Sequence, residues 1–147
     1  MGIASSNTSV SSNSSSSRTL VDVRNKTVKE SKQILKNYGF EVKYTNHGES
    51  ESETVVTDQV PKPGVKLLEG STICLYSESS NERESVTVPN LKGKTLLEAK
   101  NILNAKNLNI NFEGAGVVIS QSPAVDSKVE AGSVIDVTLM KQITDAH

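Results

Sequence analysis

Lys94-Thr95-Leu96-Leu97-Glu98-Ala99-Lys100-Asn101-Ile102-Leu103 is the stretch on which the fold turns. Thr95 and Glu98 stand three apart at the head of an apolar run. That is a capping box: the Thr oxygen takes an orphan amide of the first turn, and the Glu reaches back to the cap. Leu96, Ala99, Ile102 and Leu103 then keep to one helical face. The same start occurs upstream in Lys26-Thr27-x-x-Glu30, followed by the stripe Val28, Ser31, Ile34, Leu35 and Tyr38. Gly39 is placed to end the first helix in a left-handed cap, and Asn107 the second.

Working outward, the period switches to two. Phe40, Val42 and Tyr44 alternate with polar residues, as do Leu108, Ile110 and Phe112. Short strands are expected at Thr54 to Asp58 and Val117 to Gln121, followed by turns at Pro61–Gly64 and Pro123–Asp126. Final strands are expected at Thr72 to Tyr76 and Val134 to Leu139. The matches keep their order. Val21-Asp22-Val23 aligns with Val86-Thr87-Val88 at an offset of 65, the helices at 68, and Gln59-x-Pro61 with Gln121-x-Pro123 at 62. On this alignment the second copy is three residues longer near its start and six shorter in its middle. Ordered matches with length changes confined to loops indicate duplication. The expected fold class is α+β: two tandem domains, each one helix packed on a three-stranded sheet.

The boundaries follow. Residues 1–19 form a Ser-rich leader, expected to be a disordered linker because so few apolar groups cannot offset the entropy of ordering. Domain 1 spans 20–78, a polar connector 79–85, domain 2 86–140 and a tail 141–147.

Composition excludes several function classes. The net charge is −1, and each copy is balanced, so no field steers an anionic polymer and no nucleic-acid partner is expected. Aromatic residues are 3% and Trp is absent, which is poor equipment for base stacking. Cys74, the only cysteine, lies in an apolar strand and reads as packing. No run approaches the roughly 18–20 apolar residues of a membrane span.

Chemistry-bearing motifs are also lacking. Gly93-Lys94-Thr95 resembles the end of a phosphate loop, but position 88 is Val where Gly is needed. Ser-x-x-Lys and Lys-Thr-Gly, the signatures of a serine transpeptidase or β-lactamase, do not occur. His47 with Glu49, Glu51 and Glu53 lacks the ligand order of a hard-cation loop. We therefore expect no catalytic residues, no metal and no cofactor. The candidate binding residues are Arg24, a charge that breaks the local pattern, and Gln59 and Gln121, which recur before a proline at a strand end. The last two read either as hydrogen bonds that fix the following turn or as polar contacts on a ligand-binding edge.

Val86-x-Val88-Pro89-Asn90-Leu91-x-Gly93-Lys94-Thr95-x-x-Glu98-Ala99, then Ser120-Gln121-Ser122-Pro123, then Val129-x-x-Gly132-Ser133, resembles a PASTA domain. That module is associated with penicillin-binding proteins and serine/threonine kinases. Copy one departs from the pattern: Arg24 stands where Pro89 does, and Asn25 replaces Gly93. The resemblance implies an extracytoplasmic module of a membrane-anchored bacterial protein, at the cell surface or in the forespore intermembrane space. It implies partners among peptidoglycan, muropeptides and β-lactam-like ligands, together with the catalytic domain of the parent. Two copies with a compact Gly114-Ala115-Gly116 middle resemble a class B penicillin-binding protein, a transpeptidase of the sporulation type, more than the longer arrays of sensor kinases. The alternatives are a structural or protein-interaction spacer, or the ectodomain of a serine/threonine sensor kinase.

Overall fold

The computed structural model describes residues 17–141. The expected leader and tail therefore fall, for 1–16 and 142–147, outside the described residues. In chain order the elements of copy one are β1 (Ser17–Thr19), α1 (Val28–Asn37), β2 (Glu41–Lys43), β3 (Asp58–Val60), β4 (Lys66–Leu68) and β5 (Thr72–Tyr76). Those of copy two are β6 (Ser85–Thr87), α2 (Leu96–Ala105), β7 (Asn109–Gly114), β8 (Val117–Ser122), β9 (Lys128–Glu130) and β10 (Val134–Met140). Each copy is one helix on a three-stranded sheet, with the last strand central: β2-β5-β3 and β7-β10-β8. The central strand runs parallel to the first and antiparallel to the third. A two-stranded ribbon closes each copy, β1 with β4 and β6 with β9.

The helices start and stop as the sequence dictates. Both capping boxes are formed, Thr27 with Glu30 and Thr95 with Glu98. Gly39 and Asn107 lie just past the helix ends at φ 87° and 59°. Phe40 and Leu108 then donate back to Leu35 and Leu103, turning the chain into β2 and β7. Val28, Ser31 and Leu35 face one core with Val23, Ile73 and Leu75. Ala99 and Leu103 face the other with Leu91, Ile135 and Val137.

Two expectations need correction. The ordered chain starts earlier than residue 20, because Ser17–Thr19 pairs with Lys66–Leu68. The leading segments also align differently. Gln59 Oε1 accepts from Val23 N–H at 2.8 Å, and Gln121 Oε1 from Leu91 N–H at 2.8 Å. Asn25 donates to the Val56 carbonyl as Gly93 does to Val118. Val23 thus matches Leu91, and the offset is 68 from the first strand onward, with no three-residue insertion. Val21 stands where Pro89 does, and Arg24 where Lys92 does. Two Val residues spaced two apart are too short a match to fix the alignment, and the true equivalence lies three residues away. Asn25 and Gly93 share a left-handed backbone, φ 74° and 82°, which Gly adopts freely and Asn tolerates.

The copies pack directly on each other. The outer face of sheet β2-β5-β3 presents Val60, Cys74 and Tyr76, and these bury Ala131 from the turn after β9. A Cβ on Gly132 would sit 2.5 Å from the Val60 carbonyl oxygen, whereas one on Gly70, its equivalent in copy one, would meet open space. Asn109, 4% exposed, closes the junction. Its Oδ1 accepts from Thr72 N–H at 2.7 Å, and its Nδ2 donates to the Thr72 and Gly132 carbonyls at 2.7 and 2.8 Å. Beside it Arg83 reaches from the connector to Asp58 at 2.7 Å and Glu130 at 3.3 Å, with its guanidinium 4.0 Å over the Tyr76 ring. Burial alone would raise the Asp58 carboxyl. Hydrogen bonds from Lys62 and Arg83 outweigh it and hold the group at about 2.

Asn109→Ala leaves the Thr72 amide and carbonyl buried without their partner. Urea unfolding should show a loss of about 1–3 kcal/mol. An unchanged midpoint would mean that the junction is not formed.

Candidate functional site

The two copies differ most where the helix faces the middle loop. From α1 and β2 the equivalence to copy two runs at 68, but from β3 onward it runs at 62. The six additional residues of copy one lie between Tyr44 and Thr54.

In copy one this loop folds over α1. The Val28 amide donates to the Thr54 carbonyl at 2.8 Å, and the Lys29 amide to the Glu51 carbonyl at 3.0 Å. Lys32 Nζ meets Glu51 Oε1 at 2.8 Å, while Asn46 Nδ2 takes the other carboxylate oxygen at 2.9 Å. The same ammonium lies 5.9 Å from the Tyr44 ring centre. Tyr44 itself donates to Glu49. Hydrogen bonds from Lys32 and then Asn46 hold the Glu51 carboxyl below its usual range, against a smaller upward push from burial.

In copy two the loop is the short turn Gly114-Ala115-Gly116. Its glycines lie against the backbone of Leu139 and Met140, where a Cβ would not fit. What the longer loop covers in copy one is therefore open. A groove of about 380 Å³ runs between α2 and the turn, walled by Leu68, Leu96, Leu97, Phe112 and Leu139, with Lys100 on its edge. Leu97 is 66% exposed. Lys100 also borders a second recess of about 150 Å³, where Glu69 and Ser71 of copy one face Asn104 and Asn109 of copy two. Both grooves include copy-one residues, so both depend on the junction. Lys100 forms no ion pair with any described residue.

The residues singled out from sequence lie elsewhere. Gln59 is fully buried, and besides Val23 its amide binds the Val21 and Pro61 carbonyls at 3.1 and 3.2 Å. It ties the leading segment to the turn after β3. Gln121 does the same in copy two, donating to the Pro89 carbonyl at 3.0 Å. Arg24 is exposed and forms a two-pronged pair with Asp22, at 2.9 and 3.1 Å. Arg24 thus lies on the leading segment that Gln59 of β3 binds, and Gln121 stands apart from them. Lys100 was missed, although one signal pointed to it: it matches Lys32 at the helix offset, while the acids that follow Lys32 have no counterpart in copy two.

Among the described residues no cluster of His, Cys, Asp and Glu could hold a metal ion, and no helix is long and apolar enough to cross a membrane. Cys74 is buried, and burial raises its thiol above the usual value.

Two helix-on-sheet copies with this capped start and this turn define a class of small repeat modules. The PASTA domain profile matches residues 19–79 and 86–141, and the chain belongs to the PASTA domain family. Its relatives include a probable serine/threonine-protein kinase of Streptomyces coelicolor, 30% identical over 131 residues, covering 83% of this chain and 19% of the relative. Stage V sporulation protein D of Bacillus subtilis is 32% identical over 89 residues, covering 60% of this chain and 13% of the relative. The chain thus spans under a fifth of the length of either. Among solved structures, the three-PASTA-domain region of a Ser/Thr kinase from Staphylococcus aureus is similar at 23% identity and a TM-score of 0.38, covering 96% of this chain and 71% of that one. Penicillin Binding Protein 2X from Streptococcus thermophilus is similar at 18% identity and a TM-score of 0.36, covering 84% and 17%.

Because the Glu51 carboxyl is held low, its hold on the loop is complete above the ordinary carboxylate range and is lost as pH falls through the folded value. Glu51→Gln should therefore lower the exchange protection of the Lys29 amide at neutral pH, and acidification of the unmodified chain should do the same. Protection equal in both proteins would show that the loop is held by other contacts.

Proposed function

We propose that this chain is a cell-wall recognition module that binds peptidoglycan or muropeptides and localises or regulates a parent enzyme. The supporting observation is the open groove of copy two with its unpaired Lys100, on a member of the PASTA domain family. An apolar trough with one cation at its rim suits a polymer that offers small apolar groups and carboxylates. It suits a nucleic acid poorly, since the chain has no basic excess. Small contact area and few aromatics give weak binding at one site, which repetition along a polymer offsets.

The parent we favour is a class B penicillin-binding protein of the sporulation type, membrane-anchored and active in peptidoglycan synthesis, including the spore cortex. The similarity to stage V sporulation protein D supports it. A sensor-kinase ectodomain is the second reading, and the Streptomyces kinase supports it by matching more of this chain. β-Lactam-like ligands and the parent's own catalytic domain are further partners of the same surface. Among the sequence-derived candidates, Arg24 has a half-exposed side chain that a ligand could touch, whereas Gln59 is fully buried. Gln59 and Gln121 act by holding the backbone around it and around Lys92.

Cosedimentation with purified sacculi tests the reading. The chain should pellet with the wall in a saturable, salt-sensitive manner. A chain that stays in the supernatant while binding a separately purified transpeptidase domain would overturn wall recognition in favour of a protein-interaction spacer.

A further inference from the structure

We propose that the groove beside α2 takes a carboxylate-bearing stem peptide of the wall with Lys100 as its anion anchor, and that copy one holds the same groove filled by its own acidic loop. This rests on the wall-binding reading and assigns it a site and a chemical group.

Copy one supplies the template. There the occupant of the groove is a peptide segment whose carboxylate, Glu51, sits on Lys32. Its backbone carbonyls take the Val28 and Lys29 amides. Copy two keeps the receiving parts at the equivalent positions. Leu96 and Leu97 stand for Val28 and Lys29, Lys100 for Lys32, and Phe112 for Tyr44. The occupant is gone, because the turn that replaces it is six residues shorter and carries Gly114-Ala115-Gly116. Glu69, the carboxylate nearest by lining, belongs to the adjoining recess and pairs with Arg18 at 3.8 Å.

The substitutions also define the ligand. Lys29 becomes Leu97 and Tyr44 becomes Phe112, so the walls have lost a charge and a hydroxyl. They favour small apolar side chains next to the carboxylate. The alanine-rich stems of peptidoglycan, with free carboxylates, carry both. A bare glycan carries neither in that arrangement. Copy one is self-occupied, so the two copies divide the work: one is closed, the other reads.

The test is an amide-shift titration of the full chain with a muramoyl pentapeptide, with chitobiose as the peptide-free glycan probe. The expected result is movement of the Leu96, Leu97, Lys100 and Ala115 amides with the pentapeptide and not with chitobiose. Lys100→Gln should weaken binding about ten-fold, the loss of one charge-assisted hydrogen bond. Lys100→Arg should restore most of it, and Lys32→Gln should leave it unchanged. Pentapeptide binding that Lys100→Gln does not alter, or shifts confined to other faces, overturns the groove while wall recognition stands. Cosedimentation with sacculi but no pentapeptide binding overturns it in favour of glycan recognition. Failure to bind either sacculi or pentapeptide removes both readings.

Discussion

The side-chain amide of Asn109 is the contact on which the rest of the molecule depends. It lies at the head of a strand in copy two and pairs both backbone groups of Thr72 at the head of the central strand in copy one. A buried amide with its partners satisfied fixes a geometry, because any slip leaves several polar groups unpaired in a water-poor setting. Exposed ion pairs do this poorly, since solvent and salt screen them. The Arg83 pairs with Asp58 and Glu130 therefore support the junction, and Asn109 and the close approach at Gly132 set it. Leu68, which lines the groove of copy two, is held there by this junction and joins that copy's core.

The two sheets show why one outer face is covered and the other is not. Val60, Cys74 and Tyr76 face copy two and are buried. Their equivalents are Ser122, Asp136 and Thr138, polar residues on the sheet face left open to solvent. The same backbone thus carries an apolar face where the other copy docks and a polar one where no other described residue covers it, as the cost of burying unpaired polar groups requires. Even on this open face, partial desolvation by the sheet raises the Asp136 carboxyl, with a smaller opposing effect from Asn111.

Much of each fold was legible in the sequence because it is local. The capping boxes of Thr27 and Thr95, the left-handed stops at Gly39 and Asn107, and the alternation of β7 each need only neighbours in the chain. The leading segment misled because a Val-x-Val pair is too short a match to fix the alignment, and only the long-range bonds of Gln59 and Gln121 decide it. The junction was not legible at all. Asn109 looks like the solvent side of a strand until Thr72, 37 residues away, is placed beside it. The groove was half legible: a missing loop can be counted, but the surface it uncovers belongs to α2, a turn and the other copy.

Weak alignment of the complete chain in a dilute medium, with residual dipolar couplings measured for both copies, tests the clasped two-copy unit most directly. The couplings of residues 20–76 and 86–140 should fit one alignment tensor with the junction as described. Two tensors of different magnitude and orientation would show that the copies move independently, and with that the composite groove would be lost.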